Sequence, residues 1–396
     1  MRPDVMTITQ KLMPEIVEFA QQLVRTKSFT GHEGDLANLV IEKMKRLDYD
    51  DVSVDSLGNV IGTVGEGTES ILYDAHMDTV AVNQPHDWSY DPFGGEIVDG
   101  KLYGRGSVDM KSALASVIYS GYIIKQLGLH QGKRILISAS IMEEDYDGEA
   151  VYSLCRSLPI LPDYVVICEP SNLDLSLGHK GRALIKVIAK GISAHGSAPE
   201  LGDNAIYKLT PLLQRVEKLN KLLQHQGDAS GSIAVTKIES SAECLNAIPA
   251  QCEVYIDRRL IMGEDEEFIV DEMVMLLEGL DASWEIYDEH GTSYTGVPLV
   301  LHCLLPAWEI SKDSMLAKAC RHTFESLFNR PPRMIKWAFC TNGVATASRL
   351  NIPTIGFGPG DSKIAHTVDE YCEIAQIEAA VQFYALLPTN LDTRVA

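Results

Sequence analysis

The sequence lacks any apolar run near the roughly 18 residues that a membrane-spanning helix needs. Its eight cysteines include no C-x-x-C pair, which leaves a zinc ribbon or a thioredoxin-like site without its framework. No G-x-S-x-G turn is present, so a serine hydrolase of that kind has no nucleophile. Gly62-Thr63-Val64-Gly65-Glu66-Gly67 misses the spacing of a dinucleotide fingerprint. Gly128 to Arg134 is one residue short of a phosphate-binding loop and carries no Ser or Thr after its Lys. Basic residues are scarce too: 34 Lys and Arg face 55 Asp and Glu, a formal net charge of −21. So acidic a chain repels phosphate backbones and anionic lipid, which argues against nucleic-acid or membrane binding. There is no repeat of fixed period and no low-complexity tract.

What is present is ordinary globular material: 396 residues, 45% apolar and 22% charged, a length that suggests two or three domains. Scattered thiols, and an opening Met1-Arg2-Pro3-Asp4-Val5 without an apolar core, lead us to expect a cytoplasmic protein. Apolar spacing predicts helices over Ile8–Leu23 and from Gly34 to Leu47. Strands follow at Val52–Asp55, Asn59–Val64 and Ile71–Ala75, then a buried helix over Met110–Leu127 and strands at Ile135–Ile141 and Tyr164–Cys168. This alternation predicts an α/β fold with a mixed, largely parallel central sheet. After about residue 180 the order becomes strand, helix, strand, strand, helix, strand, the β-α-β-β-α-β pattern of a ferredoxin-like unit. From about Gly296 the α/β pattern returns, with helices expected at Asp313–Phe328, Thr341–Leu350 and from Ile374. We therefore expect a discontinuous domain, residues 1–180 and 296–396, carrying an inserted domain, residues 181–295.

Five places put His, Asp or Glu at the ends of apolar strands or just beyond, where ligands sit in open α/β sheets. They hold His76 and Asp78, Asp109, the pair Glu143-Glu144, Glu169 and His366. Singly, each has a plain explanation: a hydrogen-bonded His, a solvated acidic loop, an Asp capping a helix. Together, two imidazoles and three carboxylates suit two divalent ions of borderline softness, zinc above all, with cobalt or manganese as alternatives. A carboxylate bridging two ions sets them ~3.5–4 Å apart, as in two-metal aminopeptidases. Asp78, two residues after His76, shares its side of the strand and suits a carboxylate that orients the site. In Gln251–Leu260, Arg259 falls on the polar face, where its guanidinium can clamp a substrate carboxylate or pair with Asp257.

The set His76-x-Asp78, Gly104-Arg105-Gly106-x-x-Asp109-x-Lys111, Glu143-Glu144, Cys168-Glu169-Pro170 and His366 resembles the M20 metallopeptidase family. That family includes acetylornithine deacetylases, succinyl-diaminopimelate desuccinylases and glutamate carboxypeptidases. Ser193–Pro199, Asp257-Arg258-Arg259, Cys340-Thr341-Asn342-Gly343 and Gly356–Gly360 are most similar to its selenium-metabolism-linked hydrolase branch. The resemblance implies that Asp109 bridges two metal ions, with His76 and Glu169 on one and Glu144 and His366 on the other. It implies Glu143 as general base, Asp78 as orienting acid, and His195 as an oxyanion donor reaching a neighbouring subunit's site. Asn246, Arg259, Asn342 and Gly343 are the implied substrate contacts. Met142 departs from the pattern where many relatives carry an acid, and Asn342 where several deacylases carry Asp.

The expectation is thus a di-zinc-type hydrolase that cleaves the amide bond of a small N-acyl amino acid or dipeptide-like substrate with a metal-activated water. It would be a homodimer through the inserted domain, which would act as its lid. A carboxypeptidase or dipeptidase is the alternative in chemistry. A non-catalytic binding protein on the same fold is the alternative in class.

Overall fold

A computed structural model describes residues 2–225, 230–242 and 244–391, so the last five residues of the expected 296–396 segment lie outside it. Four strands run parallel side by side at its centre: Lys133–Ser140, Glu69–His76, Tyr164–Ile167 and Thr354–Gly356. Antiparallel Asp51–Val54 and Val60–Val64 extend one edge, while Leu175–His179, Trp308–Glu309 and Met334–Trp337 complete a nine-stranded mixed sheet. Alternate residues feed two cores. Ile71, Tyr73 and Ala75 join the larger one, with the helices Arg2–Arg25, Ser112–Gln126 and Ile374–Leu386, whereas Leu72, Leu136 and Val165 pack on the opposite face against Val151 and Leu154. Strands apolar on both faces are what a sheet covered on both sides requires. Each such buried aliphatic side chain contributes about 1.5–3 kcal/mol.

The parallel order aligns strand ends. His76 ends its strand opposite Ser140. Glu143 lies just beyond Ser140, and Glu169 just beyond Ile167.

A second sheet is antiparallel, in the order Ser232–Ser240, Gln251–Leu260, Gly181–Lys190, Ala282–Ile286. Helices Ala205–Gln224 and Glu266–Leu277 cover one of its faces and close a separate core around Val187, Leu209, Val254 and Met273. Cys252, Val254 and Ile256 point into that core as their alternation predicts. Arg258, on the same face, is fully buried and bonded to Glu264 and Glu272.

Three local features differ from the sequence expectation. The hairpin Asp288–Thr292 and Pro298–His302 straddles the expected division at 295/296, and Tyr294 in its turn donates to the Gly58 carbonyl at 2.9 Å. Short periodic runs give no signal for such tertiary docking. The helix Glu149–Ser157, which starts just after the short helix Glu143–Tyr146 that holds the acidic pair, was not foreseen. The helix expected at Thr341–Leu350 is a wide turn, Val344–Arg349, whose following N–H groups reach back five and six residues, Leu350 to Ala345 and Ile352 to Thr346.

Candidate metal and catalytic site

Asp109 sits between two histidines. His76 Nε2 is 3.0 Å from its Oδ1 and His366 Nε2 is 3.2 Å from its Oδ2. Glu169 Oε1 lies 3.5 Å from His76 Nε2, and Glu144 Oε2 lies 3.0 Å from His366 Nε2. The five expected ligands therefore lie close together, with the Asp109 carboxylate between the two imidazoles. His76 with Glu143 and Glu169, and His76 with Asp109 and Glu144, are groups whose ligand atoms all lie within 4.8 Å of one another. Glu143 offers a free oxygen: its Oε2 is 3.9 Å from His76 Nε2, and its buried Oε1 has no hydrogen-bond partner.

Asp78 is fully buried and ties these elements together. Its Oδ1 accepts the Glu143 N–H at 3.0 Å, while its Oδ2 accepts the Glu144 N–H at 3.1 Å and the Thr30 hydroxyl at 2.9 Å. Its backbone carbonyl lies 3.0 Å from His76 Nδ1, which leaves Nε2 turned to Asp109. Sequence reasoning missed two helpers. Glu33 accepts the Met142 N–H at 3.0 Å and so holds the turn before Glu143, where Met142 takes φ +54°. Glu370 accepts the N–H groups of Val108 and Asp109 and pairs with Arg105. A lone Glu far from the motif gives no sequence signal for either role.

The electrostatics describe a site short of positive charge. Burial and the charge of Asp109 push Glu144 up to about 7. Burial, then neighbouring carboxylates, raise Glu143 and Glu169 well above the carboxylate range. Burial works against ionised Asp109 as well, yet its bonds from His366 and His76 hold it low. His366 is raised to about 10 by Asp109 and Glu144. So many buried acids around two imidazoles fit divalent cations, which remove the repulsion and satisfy the lone pairs. The donor set matches borderline-soft ions.

Above the cluster opens a cavity of about 320 Å³, lined by Glu143, Glu144, Asp147, Arg182, Arg259 and Cys340 among others. Arg259 reaches it as expected, although Asp257 already takes its Nε at 2.8 Å and its Nη2 at 3.2 Å. Arg182 and Asp147 were missed, because neither stands in a recognisable pattern. Asn342 and Gly343 are corrected: neither lines the cavity. Asn342 is buried, accepting from the Gly148 N–H and donating to Asp74 and Ser140, so it pins the acidic loop to the sheet. Gly343 lies against the Trp308 ring, 2.7 Å from where a Cβ would stand. His195 and Asn246 do not line it either. They lie together on an exposed loop, where the strand Ala194–His195 pairs with Ala247–Ile248 and the Gly196 N–H meets the Asn246 carbonyl at 2.6 Å.

Known proteins resemble this chain along most of its length. The sequence profile described as Peptidase family M20/M25/M40 matches residues 72–390. The protein YgeY of Escherichia coli strain K12 is 34% identical over 379 residues, 95% of this chain and 94% of its own. A succinyl-diaminopimelate desuccinylase of Hydrogenovibrio crunogenus is 25% identical, covering 96% of this chain and 99% of its own. Among solved structures, the M20 family metallo-carboxypeptidase Sso-CP2 of Sulfolobus solfataricus superposes with a TM-score of 0.75 at 15% identity, over 95% of this chain and 99% of that one. That last likeness speaks to the fold.

Proposed function

This chain belongs to peptidase family M20/M25/M40 and is a metallohydrolase of that family; we propose that it uses two divalent ions, zinc foremost, to hydrolyse the amide bond of a small N-acyl amino acid. The observation that carries the reading is Asp109 between His76 and His366, one carboxylate oxygen facing each imidazole. When bound, such ions lower the pKa of water and polarise the scissile carbonyl. Glu143, with its unbonded oxygen beside the ligands, accepts a proton from the attacking water and passes it to the leaving nitrogen. Asp78 fixes the backbone of both acids, so the base and the ligand Glu144 cannot drift apart. Arg259 and its neighbour Arg182 give the cavity a carboxylate-binding wall. The likeness to a succinyl-diaminopimelate desuccinylase favours an N-acyl substrate over a free dipeptide. Elemental analysis of metal-loaded protein, with hydrolysis of N-acyl amino acids and dipeptides measured on the same sample, tests the reading. One ion at full activity, or no turnover of either class, would overturn it.

We read residues 1–180 and 296–396 as the catalytic domain and 181–295 as a lid through which two chains pair in the cytoplasm. Ile192, Leu201, Tyr207 and Leu245 are exposed by 61%, 73%, 74% and 110%, and Ile192 and Leu201 lie in the segment that carries His195. An apolar surface around a histidine that does not line its own chain's cavity supports a role in the partner's site. Mixing inactive His195→Ala and Glu143→Gln chains then restores activity, since half the heterodimer's sites carry neither defect. No recovery after proven subunit exchange would confine His195 to its own chain.

A further inference from the structure

The two expected metal-binding histidines are held by different means. His76 ends a central strand, opposite Ser140 and fully buried, and Glu169 lies just beyond the end of a neighbouring strand. His366 stands on a loop, its side chain 47% exposed, and its backbone takes φ +63°. That left-handed conformation is unfavourable for a residue with a side chain and persists only where the surroundings hold it. Asp109, which faces both histidines, also lies off the large sheet, in the turn Ser107–Lys111. Backbone pairing joins these two segments a few residues away, where Tyr371–Glu373 runs antiparallel to Lys101–Tyr103. Glu370 stands just before that ladder, and its carbonyl accepts the Gly104 N–H at 2.9 Å. Its side chain is fully buried, with Oε1 accepting the Val108 N–H at 3.0 Å and the Asp109 N–H at 3.2 Å, and Oε2 bonded to Arg105 Nη1. The same Nη1 donates to the carbonyl of Thr367, the residue after His366, at 3.4 Å. Arg105 is itself fixed, 4% exposed and with its guanidinium 5.3 Å from the centre of the Trp88 ring. One carboxylate thus spans the backbone of Asp109 and the loop of His366. Its side-chain bonds to described residues go to Arg105, Val108 and Asp109, and none goes to His76 or Glu169.

We propose that Glu370 is a positioning residue that sets the separation of His366 from Asp109, and with it the affinity of the ion on the His366 side alone. The inference rests on the two-ion reading above and adds an order to it. The ion on His76 and Glu169 depends on strand ends that Glu370 does not touch, so it binds first and more tightly. The ion on His366 depends on a loop that the Glu370–Arg105 brace must hold in place, so it binds second and can be lost by itself. The carboxylate is essential to the brace, because both of its oxygens accept. A Gln with its oxygen toward the Val108 and Asp109 N–H groups turns its NH2 on Arg105. Reversed, it turns that NH2 on the two peptide donors.

Calorimetric titration of chelator-stripped protein with zinc reads each ion without turnover. Wild type binds two ions, and Glu370→Gln weakens one of them about 10–100-fold while the other stays within about threefold. His366→Ala assigns them: it removes the weakened ion, and adding Glu370→Gln to it leaves the remaining ion within about threefold. Arg105→Lys, which keeps the charge but gives up the fixed geometry of the guanidinium, serves if the Gln variant does not fold, with the same selectivity expected. Equal weakening of both ions would overturn the proposal by making Glu370 a general support of the fold, and weakening of neither would make it a bystander. Further weakening in the His366→Ala background would overturn it as well. A single ion in wild type would refute the two-ion reading itself, whereas two ions without a selective loss would refute only the role of Glu370.

Discussion

Replacing Asp78 by Asn removes one charge and almost no volume, yet the hydrogen-bond inventory makes it a severe change. In the native site Oδ1 takes the Glu143 N–H, and Oδ2 takes the Glu144 N–H together with the Thr30 hydroxyl. An Asn has a single acceptor oxygen. With it toward Glu143, the amide NH2 faces the Glu144 N–H, and with it turned round, the NH2 faces the Glu143 N–H. The Thr30 hydroxyl can rotate to accept, but a peptide N–H cannot. Either orientation therefore strands one buried donor, which costs about 1–3 kcal/mol, and the bonds that remain lose their charge-assisted strength. We expect Asp78→Asn to lower the stability of chelator-stripped protein by about 2–4 kcal/mol, with Asp78→Ala lower still because all three donors are orphaned. Urea unfolding of the stripped variants measures this without any contribution from metal affinity, and a parallel metal titration should show a loss of about 10–100-fold. Asn within about 0.5 kcal/mol of wild type, a change typical of neutral surface sites, would refute the account of Asp78 as the clamp on the acidic turn.

Glu143→Gln should retain its metal ions while kcat falls about 10²–10⁴-fold, the usual loss for a general base, as steady-state assays of fully loaded protein will show. Asp109→Ala should release both metal ions together, because each of its oxygens faces a different histidine; retention of one ion at wild-type affinity in equilibrium dialysis would refute the shared ligand. Arg258→Met should cost about 3–5 kcal/mol in urea unfolding, since it leaves the buried Glu272 and its neighbour Glu264 without their cation. The same variant should leave bound metal unchanged, because Arg258 faces the helices of the second sheet.

The ligand cluster was legible because parallel-sheet strands announce their ends. A run such as Tyr164 to Cys168 is apolar on both faces, so the first His or acid after it stands at the sheet's rim. Three neighbouring strands repeat that signal, and register does the rest by bringing His76, Glu143 and Glu169 to one edge. Asn342 was misread for a related reason. It too lies near that rim, but its amide points back to buried Asp74, and no pattern in one segment distinguishes a residue that faces the cavity from one that braces it. The hairpin across residue 296 and the bonds of Glu33 and Glu370 depend on contacts more than 90 residues apart in the chain, which periodicity does not carry.

Arg182 and Asp147 were invisible for a deeper reason: they meet only where the second sheet joins the first. The chain leaves the large sheet at His179, enters the small one at Gly181, and returns through Leu305 and Trp308. The two crossings pair with each other, Trp308 with His179 and Leu305 with Arg182. Gly181 permits this close approach, since a Cβ there would stand 2.4 Å from the Leu305 carbonyl oxygen and 2.5 Å from the Ala307 nitrogen. A doubled, hydrogen-bonded joint holds orientation better than a single linker, and Arg182 is the first residue past it. Arg182 and Arg259 thus hang from one sheet and the ligand cluster from the other. A substitution at Arg182 or Arg259 can therefore alter what is bound while the spacing of His76, Asp109 and His366, fixed entirely by the first sheet and its loops, stays as it is.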